Sequence, residues 1–270
     1  MNLEKKLKKN FKGIYKACGN KFLFTCGSYL INGYKYKYDK RMLAKQLLLY
    51  NLAKKNSRIL EVGVYMGHSI LIMLSSNPNL KITCIDIDKR FAPKAISYLK
   101  NKFIKSKIDL FLGDSIKMLK KIKSSYDLYH IDGDHRPNKI FKEILACINI
   151  HNKNKIKILF DDVDMMKDVE KILFKCFQIR KYIKPKSSFR NLYVEIELNT
   201  QSINKFKKSY YIFLVKYFFY NIIPLFIKKF LRFFLRNFVG KMFSNFSGSY
   251  LLKNFKDKKI RLIGKKLKKI

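Results

Sequence analysis

Acidic residues are scarce in this chain: 19 Asp and Glu stand against 59 Lys and Arg in 270 residues, a formal net charge of +40. An anionic partner therefore has to be weighed, whether nucleic acid, an anionic membrane or an acidic or phosphorylated substrate. Cysteine is also sparse. Cys18, Cys26, Cys84, Cys147 and Cys176 are odd in number, form no C-x-x-C pair and have no histidine at zinc-finger spacing. That pattern fits a reduced, intracellular chain. No long apolar stretch follows the basic start MNLEKKLKKNFKG, so no secretory signal is expected, and no internal repeat is visible. What is abundant is apolar: 48% hydrophobic residues, enough at this length for one sizeable α/β core plus appendages.

From Arg58 to Leu198 short apolar runs alternate with helical stretches. RILEVGV, KITCIDI, IDLFLGD, YDLYHID and IKILFDD read as strands, each followed by a helical pattern, the signature of successive βαβ units. The expected fold is an α/β, doubly wound, mostly parallel sheet with ligands at the carboxyl ends of its strands. A helix from about Met165 to Phe177 precedes CFQIRKYI and NLYVEIEL, a closing hairpin that adds an antiparallel strand. Residues 1–57 read as a basic leader or lid, helical around KRMLAKQLLLYNLAKK, where Leu43, Leu47, Leu48 and Leu52 share a face. The domain proper spans 58–200. Residues 201–270 form a basic, aromatic, amphipathic tail.

Because acids are so few, their placement is informative. Glu61, Asp86, Asp114, Asp132 and the pair Asp161 and Asp162 stand at the ends of five consecutive strands. Aspartates often cap the helix after a strand, yet five in succession point to one cleft built on strand ends. Asp86 suits both hydroxyls of a ribose, Asp114 suits an adenine amino group, and the loop from Gly63 to Gly67 admits a ligand to the backbone. Ser69 and the helix N–H groups beside it suit a carboxylate. Ribose, adenine and an amino-acid carboxylate together describe S-adenosylmethionine.

EVGVYMGHS resembles the first motif of class I S-adenosylmethionine-dependent methyltransferases, in the E-x-G-x-Y-x-G-x-S form of the catechol O-methyltransferase-like enzymes. The resemblance runs through IDID, GDS, YDLYHIDGDH and ILFDD, about residues 58–164, and IDGDH with FDD is most similar to the branch that methylates sugar hydroxyls in antibiotic and polysaccharide biosynthesis. It implies a seven-stranded Rossmann-like sheet. It also implies that Glu61, Gly63, Tyr65, Gly67 and Ser69 surround the methionine part of the cofactor, Asp86 the ribose, and Asp114 with Ser115 the adenine, with Asp132 shared between the cofactor and the metal. His68 departs from the family pattern and reads as an ordinary polar residue at a helix start.

Asp132, Asp161 and Asp162 come from neighbouring strand ends, where three carboxylates repel unless a hard cation sits among them; oxygen-only ligation points to Mg2+ or a similar divalent ion. In the catechol-type relatives the matching positions bind magnesium, which chelates two vicinal hydroxyls. Two residues offer themselves as general base. Asp134 is at the position proposed as base in the sugar-modifying relatives, and His135 stands where catechol-type enzymes carry a lysine. His titrates near neutral pH, while an Asp needs a raised pKa; the choice between them stays open here.

The expected activity is thus transfer of a methyl group to a small-molecule or glycan hydroxyl. The rival is a non-enzymatic or RNA-binding protein of the same fold. Nucleic acid is the weaker partner, because enzymes acting on base amino groups resemble an Asn/Asp-Pro-Pro-aromatic pattern at the fourth strand, where this chain has IDGDH, and Cys147 sits too far along for cytosine C5 chemistry. In the tail, residues 203–270 hold 18 Lys and Arg against one acid, Asp257. PLFIKKFLRFFLRNFVG sets Lys228, Lys229, Arg232 and Arg236 in one stripe against a phenylalanine-rich face that includes Phe230, Phe233 and Phe234, a pattern suited to an anionic membrane surface through residues 205–245. The preceding YYIFLVKYFFYNII is too short to span a bilayer. The expected location is cytoplasmic, peripheral at the inner face of a membrane, and a homo-oligomer is compatible with all of this.

Overall fold

A computed structural model describes residues 3–184 and 191–222, the side chains at 164–165 and 218–222 excepted, together with positions 227, 229, 230 and 233. Apolar runs set between lysines become strands: β1 Arg58–Val62, β2 Lys81–Asp86, β3 Lys107–Leu112, β4 Leu128–Ile131 and β5 Lys155–Phe160. β1 and β4 are buried almost throughout, as a parallel strand between two helical layers must be. The intervening helices are α3 His68–Ser76, α4 Ala92–Lys102, α5 Ser115–Leu119, α6 Pro137–Ile150 and, after a 3-10 turn at Val163–Met166, α7 Lys167–Cys176. Each start has a local cause. Gly67 takes a left-handed φ of 67° before α3, Asp114 accepts from Lys117 N at 3.1 Å to cap α5, and Pro137 occupies the first turn of α6.

β6 Ile179–Ile183 and β7 Leu192–Glu197 complete a seven-stranded sheet of order β3-β2-β1-β4-β5-β7-β6. The first five strands run parallel, and β7 inserts antiparallel between β5 and β6. This is the doubly wound sheet with an antiparallel hairpin that the pattern predicts. Between β1 and β4 the order reverses, so their carboxyl ends open a crevice.

Residues 1–57 pack in the same compact unit as the strands, which spans Met1–Tyr211. They supply α1 Leu3–Ala17, a 3-10 turn at Lys40–Met42 and α2 Leu43–Lys54. Leu7, Ile14, Leu30, Ile31 and Leu49 are fully buried in a core shared with α3 and α4. At an upper limit of roughly 1.5–3 kcal/mol per buried side chain, the leader contributes a large share of that core. α1 is a helix the expected pattern omits, although Leu3, Leu7, Phe11 and Ile14 recur at helical spacing, and α2 is turned from the expected phase. Leu43 and Leu47 are 40% and 41% exposed, and the buried face is Lys45, Gln46, Leu49, Leu52 and Ala53. Leucines at 43, 47, 48, 49 and 52 fit two overlapping stripes, and the inward one carries a lysine.

On the other face of the sheet, Phe141 of α6 meets Phe206 and Tyr210 of α8 Thr200–Ile222, ring centres 5.3 Å apart in both pairs. A second unit spans Ile212–Ile270. Most of the amphipathic stretch expected at 225–239, and about half of the membrane-facing segment expected at 205–245, lies outside the described residues. Of its phenylalanines, Phe230 and Phe233 are described and exposed. Among the described residues no helix is long and apolar enough to cross a membrane.

Candidate active site

A cleft of about 930 Å³ opens over the carboxyl ends of β1, β2, β4 and β5. It is large enough for a nucleoside cofactor with a small acceptor. Its floor is the loop after β1. Gly63 takes φ +90°, and a Cβ there would collide with the carbonyl oxygen of Asp132, so glycine is required because the loop abuts the end of β4. Gly67 similarly serves its turn and the packing of α3 on Ala95 and Leu99 of α4, and it does not line the cleft. Tyr65 holds a strained φ of 48° for a non-glycine residue. Its hydroxyl accepts from Leu23 N at 2.7 Å, tying the leader over the loop.

Asp86 lines the cleft and organises it: Oδ2 accepts from Val64 N and Tyr65 N, each at 2.7 Å, and Oδ1 from Asp88 N at 2.7 Å. Ser69, Asp114, Ser115 and Asp132 line the same space. Lys139 Nζ, 2.5 Å from Asp114 Oδ2, and the Lys117 amide hold the Asp114 carboxyl below the usual carboxylate range. A carboxylate at the β2 end, a tight glycine loop and the N-terminus of α3 form one wall, and that donor and acceptor set fits S-adenosylmethionine.

Glu61 is placed elsewhere. It is fully buried, does not line the cleft, and Oε1 pairs as acceptor with His130 Nδ1 at 2.9 Å, away from the space expected for the methionine part of the cofactor. His130 Nε2 pairs in turn with the Tyr29 hydroxyl at 2.8 Å, which also accepts from Asn191 Nδ2 at 2.6 Å. The chain Glu61–His130–Tyr29–Asn191 thus pins the leader to the sheet. His68 is likewise more than a surface residue. It is buried, with Nδ1 2.6 Å from Ser28 Oγ and Nε2 2.9 Å from the Tyr36 hydroxyl, and burial lowers its pKa to about 3, so the ring stays neutral.

Glu143 of α6, unmarked by the sequence pattern, is buried at the cleft wall with Ser115 Oγ donating to Oε1 at 2.5 Å, and burial lifts its pKa from near 4.5 to about 7. A folded-state pKa raised this way contributes stability that is fully present below 4.5 and lost as pH rises through about 7. Glu143→Gln keeps the acceptor for Ser115 and removes the ionisation. It is expected to gain roughly 2–4 kcal/mol over the native protein at pH 8 and little at pH 4. Urea unfolding at the two pH values checks this, and equal effects at both would refute it.

The two base candidates part company in space. Asp134 is gripped by Arg136, whose Nε lies 2.8 and 2.9 Å from the two carboxylate oxygens; this pair holds the Asp134 carboxyl below its usual range. His135 Nε2 faces Asp162 Oδ2 at 3.4 Å. Asp162 takes a left-handed φ of 49° and makes no side-chain cap to the following turn.

Asp132, Asp161 and Asp162 gather at the ends of β4 and β5, yet their placement does not fit the expected divalent ion. Among the described residues no three His, Cys, Asp or Glu side chains are set to hold one together. Lys45 stands there already: its Nζ is 2.8 Å from Asp161 Oδ2, both side chains are almost wholly buried, and the ammonium lies 4.3 Å from the centre of the Tyr29 ring. Burial opposes the charge on Asp161, but the ammonium outweighs it and the pKa is lowered. Burial and the neighbouring Asp161 charge drive the pKa of Asp132 well above the usual range.

Residues 60–163 match a family model described as a methyltransferase domain. A caffeoyl-CoA O-methyltransferase of Stellaria longipes is 33% identical over 100 residues, 34% of this chain and 42% of that protein. Among solved structures, an O-methyltransferase from Bacillus cereus in complex with S-adenosylhomocysteine shares the fold with a TM-score of 0.51 at 12% identity, over 70% of this chain and 91% of that one. An S-adenosylhomocysteine-bound methyltransferase from Podospora anserina gives 0.51 at 12% identity, over 70% and 88%. The motif order, the sheet and the matched domain agree: residues 60–163 form a methyltransferase domain similar in sequence to a caffeoyl-CoA O-methyltransferase, and the chain spans less than half the length of that relative.

Proposed function

We propose that the protein is an O-methyltransferase that uses S-adenosylmethionine to methylate a hydroxyl of a sugar or other glycan-related small molecule. The observation that carries this is one continuous cleft joining Asp86 and the Gly63 loop to His135 and Asp162. IDGDH and FDD, the motifs most similar to the sugar-modifying branch, supply His135 and Asp162. Bound S-adenosylmethionine supplies a methyl group on a positively charged sulfur. Around it, Asp86 suits the ribose hydroxyls, while Ser69 and the α3 N-terminus suit the carboxylate. His135, whose Nε2 lies 3.4 Å from Asp162 Oδ2, takes the acceptor's proton on its imidazole. The oxygen–carbon bond forms as the carbon–sulfur bond breaks, leaving a neutral thioether and a protonated imidazole. Divalent-metal assistance is left out, since Asp161, one of the carboxylates that would ligate the ion, is already paired with Lys45.

The test has two stages. Calorimetry with S-adenosylhomocysteine should show binding that Asp86→Ala weakens by about tenfold or more; undiminished affinity in a folded variant removes the cofactor assignment. A labelled methyl donor is then screened against sugar nucleotides, lipid-linked glycans and phenolic acceptors. Methylation confined to phenols refutes the sugar class, and salt-sensitive RNA binding without turnover favours the non-enzymatic reading.

A further inference from the structure

We infer that Lys45, buried on α2 against Asp161 and the Tyr29 ring, is the resident cation of this site, and that the chain transfers its methyl group without a divalent metal. The inference rests on the methyltransferase reading above and deepens it. A lysine with 7% of its side chain exposed is out of place on a helix unless a partner holds it, and Asp161 Oδ2 does so at 2.8 Å. The position is also enforced from behind: Leu49, Leu52 and Ala53 of the same helix are buried, so α2 cannot turn Lys45 outward without exposing them. Gln46, its neighbour on the helix, adds a second tie by donating Nε2 to Tyr29 O at 2.8 Å.

Charge counting leads to the same place. One ammonium faces Asp161 Oδ2 at 2.8 Å, with both side chains almost wholly buried. The Asp161 carboxylate is then answered without a further ion. A divalent cation would have to displace the ammonium or lie beside it as a like charge in a confined space. The repulsion among strand-end acids that calls for a cation is thus answered by the chain itself. Lys45 acts here as a positioning and charge-compensating residue, holding Asp161 while Asp162 is left to face His135.

Mn2+, followed by the loss of its free-ion electron paramagnetic resonance signal, is the probe, and S-adenosylhomocysteine calorimetry on the same samples reports folding and the cofactor reading separately. Wild-type protein should bind no Mn2+ through Asp161 up to on the order of 1 mM. Lys45→Met, close in volume and uncharged, should gain a Mn2+ site at least about tenfold tighter, and Lys45→Met combined with Asp161→Asn should lose it again. Turnover of any acceptor found in the screen should survive chelator within about twofold. Mn2+ bound by wild-type protein and abolished by Asp161→Asn overturns the inference. So does a Lys45→Met variant that still binds S-adenosylhomocysteine but gains no Mn2+ site. If Lys45→Met does not fold, Lys45→Ala takes its place, and if neither folds the wild-type arm decides alone. Failure of wild-type protein to bind S-adenosylhomocysteine would instead count against the methyltransferase reading.

Discussion

Replacing His130 by alanine is expected to destabilise the fold by about 3–5 kcal/mol, among the largest losses available to a single substitution in this chain. The cause is Glu61. Its carboxyl is fully buried in β1, Oε1 is held by His130 Nδ1 at 2.9 Å, and Oε2 has no hydrogen-bond partner. Removing the imidazole leaves a buried acid with no partner and takes one bond from Tyr29, which keeps Asn191. The cost comes from stranding one member of the pair, so exchanging both tests the explanation. Glu61→Leu with His130→Leu should recover most of the loss, since apolar groups of similar volume carry no desolvation penalty. Urea midpoints for the single and double variants measure this, and a loss under about 1 kcal/mol for His130→Ala would show that the pair carries little of the fold's stability.

The sheet was legible because the chain is so basic. Lysines frame the strands, so apolar runs such as KIKILF and KITCID stand out, and the rare acids mark their ends. The same property hid the site's cation. Lys45 is one of 59 basic residues, and only its place on the inward face of α2 distinguishes it. The run of leucines beside it left that face ambiguous. Glu61 and His130 left a trace that a closer reading finds: each is a polar residue inside an otherwise buried strand, and the two are direct partners in the β1–β4 register. Polar residues at matched positions of adjacent buried strands are expected to satisfy one another. Glu143 left none, since a single glutamate within α6 looks like any solvated helix residue, and only the packing of Ser115 against it reveals its burial.

His135→Gln is expected to lower turnover by about 10² or more, and Asp134→Asn by less than about tenfold. The sequence alone sets these two on nearly equal terms, and the surrounding groups separate them. A general base must be ready to gain a proton, and Asp134 is poorly placed for that: Arg136 grips both carboxylate oxygens and stabilises their charge, which lowers the pKa. His135 lies on the same loop, just before Pro137 opens α6, and its Nε2 lies 3.4 Å from the Asp162 carboxylate, a neighbour suited to the charge the ring gains with the proton. Asp162→Asn should therefore cost activity as well, but less than loss of the imidazole, because it removes the ring's anionic neighbour and not the base itself. Initial rates at saturating methyl donor, with S-adenosylhomocysteine affinity measured on each variant, separate a lost proton acceptor from a lost binding site. Equal losses in His135→Gln and Asp134→Asn would make the loop's geometry, not the imidazole, the sensitive feature. A far larger loss in Asp134→Asn would hand the base to Asp134, with Arg136 swinging away once the acceptor binds.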